Sequence, residues 1–343
     1  MSETYARAGV DIVAADEAVE RIKAHVRSTA IPGVLSEIGG FGGLFDLSVL
    51  DVADPVLVST TDGVGTKAVV ASMTGRYGTI GIDAVAMCVD DLVCQGARPL
   101  FLLDYLAVGR LEPAMAEALV AGVAEGCRQA GCALVGGEMA EHPGVLAPGE
   151  FDLAAFAVGV VGRAQILTPE RVHAGDVLVG IASPNLRSNG FSLARRLYFE
   201  VAGRGPDDPA WAGAPHSVAD ELLLPSVIYA PAVLALRDAV ALHGVAHITG
   251  GGIPGNLVRV LPDGLTARVR RDGWERPPVF AELARLGDVD DDEMLRTFNC
   301  GVGMVALVPE ADADETVALL ARHGHRAWPI GEVVAGERGV EVG

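Results

Sequence analysis

"TIGIDAVAMCVDDLVCQGARPLFLLDY", residues 79–105, decides the fold. Ile82, Val85, Ala86, Val89, Leu92 and Val93 recur at three- and four-residue spacing, which predicts a helix over 79–95 with one apolar stripe. Gly96 and Pro99 end it, because neither residue continues a helix. An apolar run then predicts a strand over 101–108. Upstream, "VSTTDGVGTK" (58–67) completes a strand over 56–61 and opens a glycine loop. Downstream, a helix over 113–130 closes on Gly131, a strand over 132–135 runs into "GGEMAEHPG", and 151–161 is another strand. A helix over 16–26 carries Val19, Ile22 and Val26 on one face, and "IGGFGG" (38–43) is too rich in glycine for regular structure. The order β-α-β-α-β-β is that of an α+β sandwich with one helical side.

The pattern restarts near residue 166. Strands are predicted over 176–182, 265–270, 302–308 and 328–334, and helices over 191–199, 230–243, 278–286, 291–298 and 312–323. The expectation is two related α+β domains, 1–165 and 166–343.

Charge limits the partners. A net charge of −19 over 343 residues disfavours nucleic acid and anionic membrane. A phosphate ligand would need local help, from a cation held by carboxylates or from backbone N–H groups. The five cysteines are odd in number and form no C-x-x-C pair, which argues against a zinc knot or a disulfide framework. No apolar run is long enough to span a bilayer and the first residues lack an apolar signal core, so a cytoplasmic protein is expected.

Six stretches carry candidate chemistry. In "TDGVGTK" (61–67), Gly63 and Gly65 let amides converge on an anion, Lys67 adds a point charge, and Asp62 can hold Mg2+. A hairpin turn is the alternative reading. In the helix over 79–95, Asp83 and Asp90 share a face and Asp91 lies roughly 80° further round. Carboxylates among Val, Met and Cys call for a partner such as a metal, unless they lie on a solvated helix edge. "VGGEMAEHPG" (135–144) presents Glu138, with Glu141 and His142 behind it, or is simply a polar loop. "AHITGGGIPGN" (246–256) places His247 ahead of three glycines and a helix start, a reading for an anion site beside a base or for ordinary polar packing. In "LRTFNCGVGM" (295–304), Thr297 and Asn299 offer an edge for amide recognition. In "LRSNGFSLARR" (186–196), Arg187, Ser188 and Asn189 precede a helix as a phosphate clamp.

Together these stretches resemble the aminoimidazole ribonucleotide synthetase family, the phosphoribosylformylglycinamidine cyclo-ligases. The resemblance rests on "YARAGVDI", "GGFGG", "TDGVGTK", the 79–105 stretch, "GVAEGCRQAGCALVGGE", "SNGFSL", "HITGGG" and "TFNCGVGM", in the family's order and spacing. It implies ATP-dependent closure of formylglycinamidine ribonucleotide to aminoimidazole ribonucleotide, with ADP and phosphate released. ATP would phosphorylate the formyl oxygen, and an amidine nitrogen would then displace phosphate at that carbon. Mg2+ and often K+ serve the family, which forms homodimers. Its N-terminal domains, expected here to be ferredoxin-like, build a barrel-like sheet across the dimer, and its active site lies between N- and C-terminal domains.

Carried residue by residue, the resemblance implies nucleotide contacts at Asp62, Gly63, Gly65, Thr66, Lys67, Asp91, Gly137 and Glu138. It implies metal ligation by Asp62, Asp91 and Glu138. Substrate contacts are implied at Gly42, Arg187, Ser188, Asn189, Thr249, Gly250, Gly251, Gly252 and Asn299. Lys67 would meet the charge developing on phosphate, and His247 would shuttle a proton. The chain departs from the family at Asp90, where Asn is usual, at Met139 and His142, where Thr and Met are usual, and at Arg187, where His is usual. Related families fit less well: selenophosphate synthetases want a reactive residue near the start, and residues 1–50 contain no cysteine. The hydrogenase-maturation relatives want a C-terminal cysteine, and thiamine-phosphate kinases lack "TFNCGVGM".

Overall fold

The computed structural model describes residues 6–343. Tyr5, the first residue of "YARAGVDI", lies outside the described residues. The chain divides into two compact units, one of residues up to Leu92 with Pro99–Gly162, the other of Val93–Arg98 with Arg163–Gly343. Among the described residues no helix is long and apolar enough to cross a membrane.

Unit 1 contains α1 (Ile12–Arg27), β1 (Pro55–Gly63), α2 (Lys67–Thr74), α3 (Ile80–Cys94), β2 (Arg98–Val108), α4 (Pro113–Ala130), β3 (Ala133–Glu141) and β4 (Phe151–Gly162). The predicted stripe of α3 is the core: Ile82, Val85, Ala86, Val89 and Leu92 are all buried. The sheet order is β1-β4-β2-β3, with β1 antiparallel to β4 and β2 parallel to β3 across α4. This is an α+β unit, but not the β-α-β-β-α-β order of a ferredoxin-like domain. Two helices follow β1, and β3 passes to β4 without one.

Two strands run further than their glycines suggest. β1 keeps its pairing through Asp62↔Ala155 and Gly63↔Ala154, and α2 starts four residues later at Lys67. "TDGVGTK" is therefore a strand-to-helix link and not a hairpin turn, because the partner of β1 comes from far along the chain. β3 continues through Gly136–Gly137 to Glu141 after a bulge opposite Leu102 and Leu103. At its end Glu141 accepts from the Asp11 amide at 2.5 Å and the Leu111 amide at 2.7 Å, so this carboxylate ties the starts of α1 and α4 to the sheet.

Unit 2 contains β5 (Val177–Ala182), α5 (Phe191–Arg195), α6 (Val218–Leu222), α7 (Ala230–Ala239), β6 (Gly244–His247), α8 (Gly252–Leu257), β7 (Leu265–Val269), α9 (Pro278–Gly287), α10 (Asp291–Thr297), β8 (Val302–Val308), α11 (Ala313–Arg322), β9 (Ala327–Ala335) and β10 (Gly339–Val342). Its sheet order is β10-β7-β9-β5-β8-β6, antiparallel except for β10 with β7. β8 is buried at every residue and forms the spine. The helix predicted over 230–243 stops at Ala239 because Val240 is extended, and the Asp312 carboxylate takes the Ala241 amide at 3.0 Å. That early stop frees residues 244–247 to pair with β8.

Candidate functional site

In unit 1 the end of β1 and the middle of α3 bring two of the predicted carboxylates to one thiol. Thr60 and Asp62 point to the same face of β1, because side chains alternate along a strand. The Thr60 hydroxyl reaches the Asp91 carboxylate at 3.4 Å. The Cys88 sulfhydryl, one helical turn before Asp91, donates to the Ala155 carbonyl at 3.4 Å, and Ala155 is the register partner of Asp62. Burial, helped by the Asp62 and Asp91 carboxylates and opposed by a hydrogen bond from the Asp62 backbone, pushes the Cys88 thiol up to about 12. Asp62 is itself held by the Gly63 amide at 2.7 Å. Two half-buried oxygen donors on rigid elements are what a Mg2+ that keeps most of its water requires.

Lys67 is placed differently from its predicted role. Its ammonium lies 2.7 Å from the Asp83 carboxylate, and both side chains are 0% exposed. In this structure the first residue of α2, expected to meet phosphate, is anchored onto α3. Asp83 and Asp90 are likewise buried, so neither lies on a solvated helix edge.

Glu138 does not join Asp62 and Asp91. It sits on β3, at the sheet edge opposite β1, where it pairs with Tyr105. Among the described residues the three carboxylates form no common cluster. Glu138 lines instead a cleft of about 370 Å³ with Gly42, Asp104, Gly137 and one face of α1 from Ala15 to Val26. Burial pushes the Asp104 carboxyl up to about 7, so this acid keeps its proton through mildly acidic solution and can donate a hydrogen bond. Gly137 is required there: a Cβ would fall 1.8 Å from Asp104 Oδ1. His142, the departure beside it, meets the Tyr105 hydroxyl at 3.2 Å through Nε2.

In unit 2 three loops meet at the ends of β5, β6 and β8. Arg187 is 1% exposed and has φ of 61°. Its guanidinium donates to the Val227 carbonyl at 2.7 Å and to His247 Nε2 at 3.1 Å, and it lies over the Tyr229 ring at 4.8 Å. Guanidinium can only donate, so Nε2 accepts and the ring proton sits on Nδ1. Arg187 is thus no exposed phosphate clamp, and His247 Nε2 is taken. Asn299 is also committed: its Nδ2 donates to the Asn185 carbonyl at 2.9 Å and its Oδ1 accepts from Gly301 at 2.8 Å. It fastens the 183–187 loop to β8 rather than presenting an amide edge.

The triple-glycine loop is shaped by Asn256, which the sequence reading passed over. Its Nδ2 donates to the carbonyls of Thr249, Gly250 and Gly252 at 3.3, 3.2 and 2.8 Å, and its Oδ1 accepts from the Thr249 hydroxyl at 3.2 Å. Gly252 combines φ of 57° with a site where a Cβ would lie 1.8 Å from the Leu295 carbonyl oxygen, so only glycine fits. Gly250 and Gly251 stay exposed, with Asn189 beside Gly250 and half-buried Ser188 before it. The Ser188 hydroxyl itself is buried, so the exposed part of this loop cluster is the backbone of Gly250 and Gly251.

Comparison with known proteins shows the family to which the chain belongs. The AIR synthase related protein N-terminal domain matches residues 45–161, and the corresponding C-terminal domain matches 173–343. The chain is 54% identical over 337 residues to the phosphoribosylformylglycinamidine cyclo-ligase of Sorangium cellulosum, covering 98% of this chain and 96% of that protein. It is 52% identical to that of Geobacter metallireducens, over 98% and 97% of the two chains. Among solved structures, thiamine-monophosphate kinase from Stenotrophomonas maltophilia superposes with a TM-score of 0.68 at 21% identity, over 95% of each chain. The hydrogenase maturation protein HypE in complex with ATP gives 0.65 at 19% identity, over 94% and 91%. These two likenesses concern the fold.

Proposed function

The chain belongs to the phosphoribosylformylglycinamidine cyclo-ligase family and catalyses ATP-dependent closure of formylglycinamidine ribonucleotide to 5-aminoimidazole ribonucleotide in purine biosynthesis; from that premise we propose how its residues divide the work. About half-identity along nearly the whole chain carries the assignment of the reaction. Unit 1 is the nucleotide side and unit 2 the substrate side. ATP is the phosphoryl donor, in keeping with the ATP complex of the HypE neighbour.

Asp62 and Asp91 hold Mg2+, which when bound offsets phosphate charge. Gly63, Gly65 and Thr66 shape the link that the nucleotide approaches, and Lys67 holds that link against α3 through Asp83. Asn189, Ser188, Thr249, Gly250 and Gly251 receive the ribonucleotide. Phosphorylation of the formyl oxygen makes its carbon electrophilic; the amidine nitrogen then bonds to that carbon, the C–O bond breaks and phosphate leaves. Glu138, Gly137 and Gly42 belong to the separate cleft of unit 1. The decisive assay is ADP release on adding formylglycinamidine ribonucleotide, with the product identified by mass and with Mg2+ and K+ each omitted in turn. Substrate-independent ADP release, or no imidazole product, would overturn the reading.

His247 is proposed as a positioning residue that orients Arg187. His247→Gln preserves an acceptor oxygen for the guanidinium, so turnover within a few-fold of wild type and an unchanged pH–rate profile are expected. A lost limb in that profile would instead assign His247 to proton transfer.

A cytoplasmic homodimer is proposed as well. The open face of the unit 1 sheet carries Leu57 at 54%, Tyr105 at 42% and Phe156 at 41% exposure. Apolar side chains on an uncovered face suit packing against a second copy, the barrel-like arrangement expected of the family. Sedimentation should give a dimer at micromolar concentration; a stable monomer would refute it.

A further inference from the structure

Unit 2 gathers three side chains of metal-binding type that the reaction leaves unused. His173 and Asp176 stand in the turn leading into β5, and His243 in the link between α7 and β6. One ligand atom from each lies within 4.8 Å of the other two, and among the described residues no other His, Cys, Asp and Glu side chains gather in this way.

The sheet, not a loose loop, sets this cluster. Gly175 donates to the Val333 carbonyl at 2.8 Å, Val333 returns a bond to the Asp176 carbonyl at 2.8 Å, and the His243 amide donates to Leu307 at 2.9 Å. The turn is thereby locked to β9, and His243 to β8. Asp176 is 3% exposed. Its Oδ2 accepts from the His173 amide at 2.9 Å and from Nδ1 of His243 at 2.8 Å. The two imidazoles meet edge to face with centroids 5.1 Å apart.

We propose that His173, Asp176 and His243 form a binding site for a divalent transition-metal ion, Zn2+ foremost. Two imidazole nitrogens and one carboxylate oxygen suit borderline metals, whereas Mg2+ prefers oxygen alone. Two ligands each roughly 2.1 Å from one tetrahedral ion stand about 3.4 Å apart, so the 2.8 Å between His243 Nδ1 and Asp176 Oδ2 need open by only about half an ångström to admit it. On binding, the ion takes the place of the Nδ1 proton and the ring carries its single proton on Nε2, so His243 ligates as a neutral imidazole. His173 is exposed, so its ring can swing in to supply the second nitrogen, and water completes the shell. The ion clips the turn before β5 to the start of β6. His247 stands at the other end of that four-residue strand.

The test strips the full chain with a chelator and titrates Zn2+ in the presence of excess Mg2+. Binding of one Zn2+ per chain with a raised thermal midpoint is expected. His173→Gln changes an exposed side chain, so the fold should persist by circular dichroism while Zn2+ affinity falls at least about tenfold. An unchanged affinity in that variant, or no midpoint shift in the wild type, overturns the site. The wild type loaded with Co2+ gives a second reading that needs no variant. Visible bands of nitrogen-coordinated Co2+ support the proposal, and the spectrum of the aqueous ion refutes it.

Discussion

Asp91→Asn is expected to lower turnover by roughly 10²–10³-fold, the scale seen when one preorganised electrostatic contact to a reacting centre is lost. The substitution is close to a pure charge deletion. Asparagine keeps an oxygen for the Thr60 hydroxyl, which lies 3.4 Å from Asp91, and fits the same half-buried space on α3. Secondary structure and thermal midpoint should therefore stay near wild type. Under the proposed division of work, what disappears is one of the two negative oxygens that would hold Mg2+, so the loss should ease partly as Mg2+ is raised. The Cys88 thiol reports the same event independently. Asp91 helps to hold it far above an ordinary thiol, so in Asp91→Asn its ionisation should move down. Near-normal turnover at ordinary Mg2+ would remove Asp91 from the metal's surroundings.

The fold was largely legible where a periodic stripe met a clear stop. α3, α4 and β8 follow from apolar spacing, Gly96, Pro99 and Gly131, because a helix stripe and a buried strand are each set by local pattern. Legibility failed where pairing crosses long stretches of chain. Gly63 and Gly136–Gly137 look like breakers, yet β4 and β2 supply hydrogen bonds that carry both strands through them. β6 and β10 are four residues each and owe their form to neighbouring strands. At the candidate site, motif reading found the loops but not the direction of each side chain. Glu138 follows "GG" as a ligand would, but the bulge in β3 fixes which sheet face it takes. Arg187 and Asn299 look like ligand contacts in sequence, and the structure shows them bonded to Val227, His247, Asn185 and Gly301. Asn256, Asn185 and Tyr229 were invisible because their partners are backbone carbonyls brought close only by the fold. The His173–Asp176–His243 cluster joins one turn to a residue 67 positions beyond Asp176, a separation no spacing rule covers.

Lys67→Met is expected to destabilise the protein by about 3–5 kcal/mol, the usual cost of removing one member of a buried ion pair. Asp83 would remain wholly buried with its 2.7 Å partner gone, and methionine supplies neither charge nor donor. The sign follows from desolvation: water cannot reach the carboxylate, so the charge left behind is paid for by partial unfolding of α2 or by protonation. Urea titration should show a lower midpoint with little change in slope. The double variant Lys67→Met with Asp83→Leu removes both charges and fills the space with apolar atoms, so most of the loss should return. This pairing separates anchor from catalyst. If Lys67 only fixes the link to α3, the restored double variant should also regain much of its turnover, since Asp62 and Asp91 are again held in place. If the ammonium itself meets the phosphates during turnover, the double variant should be folded and inactive. A Lys67→Met protein that unfolds at the wild-type urea concentration would show that the buried pair does not hold this part of the chain.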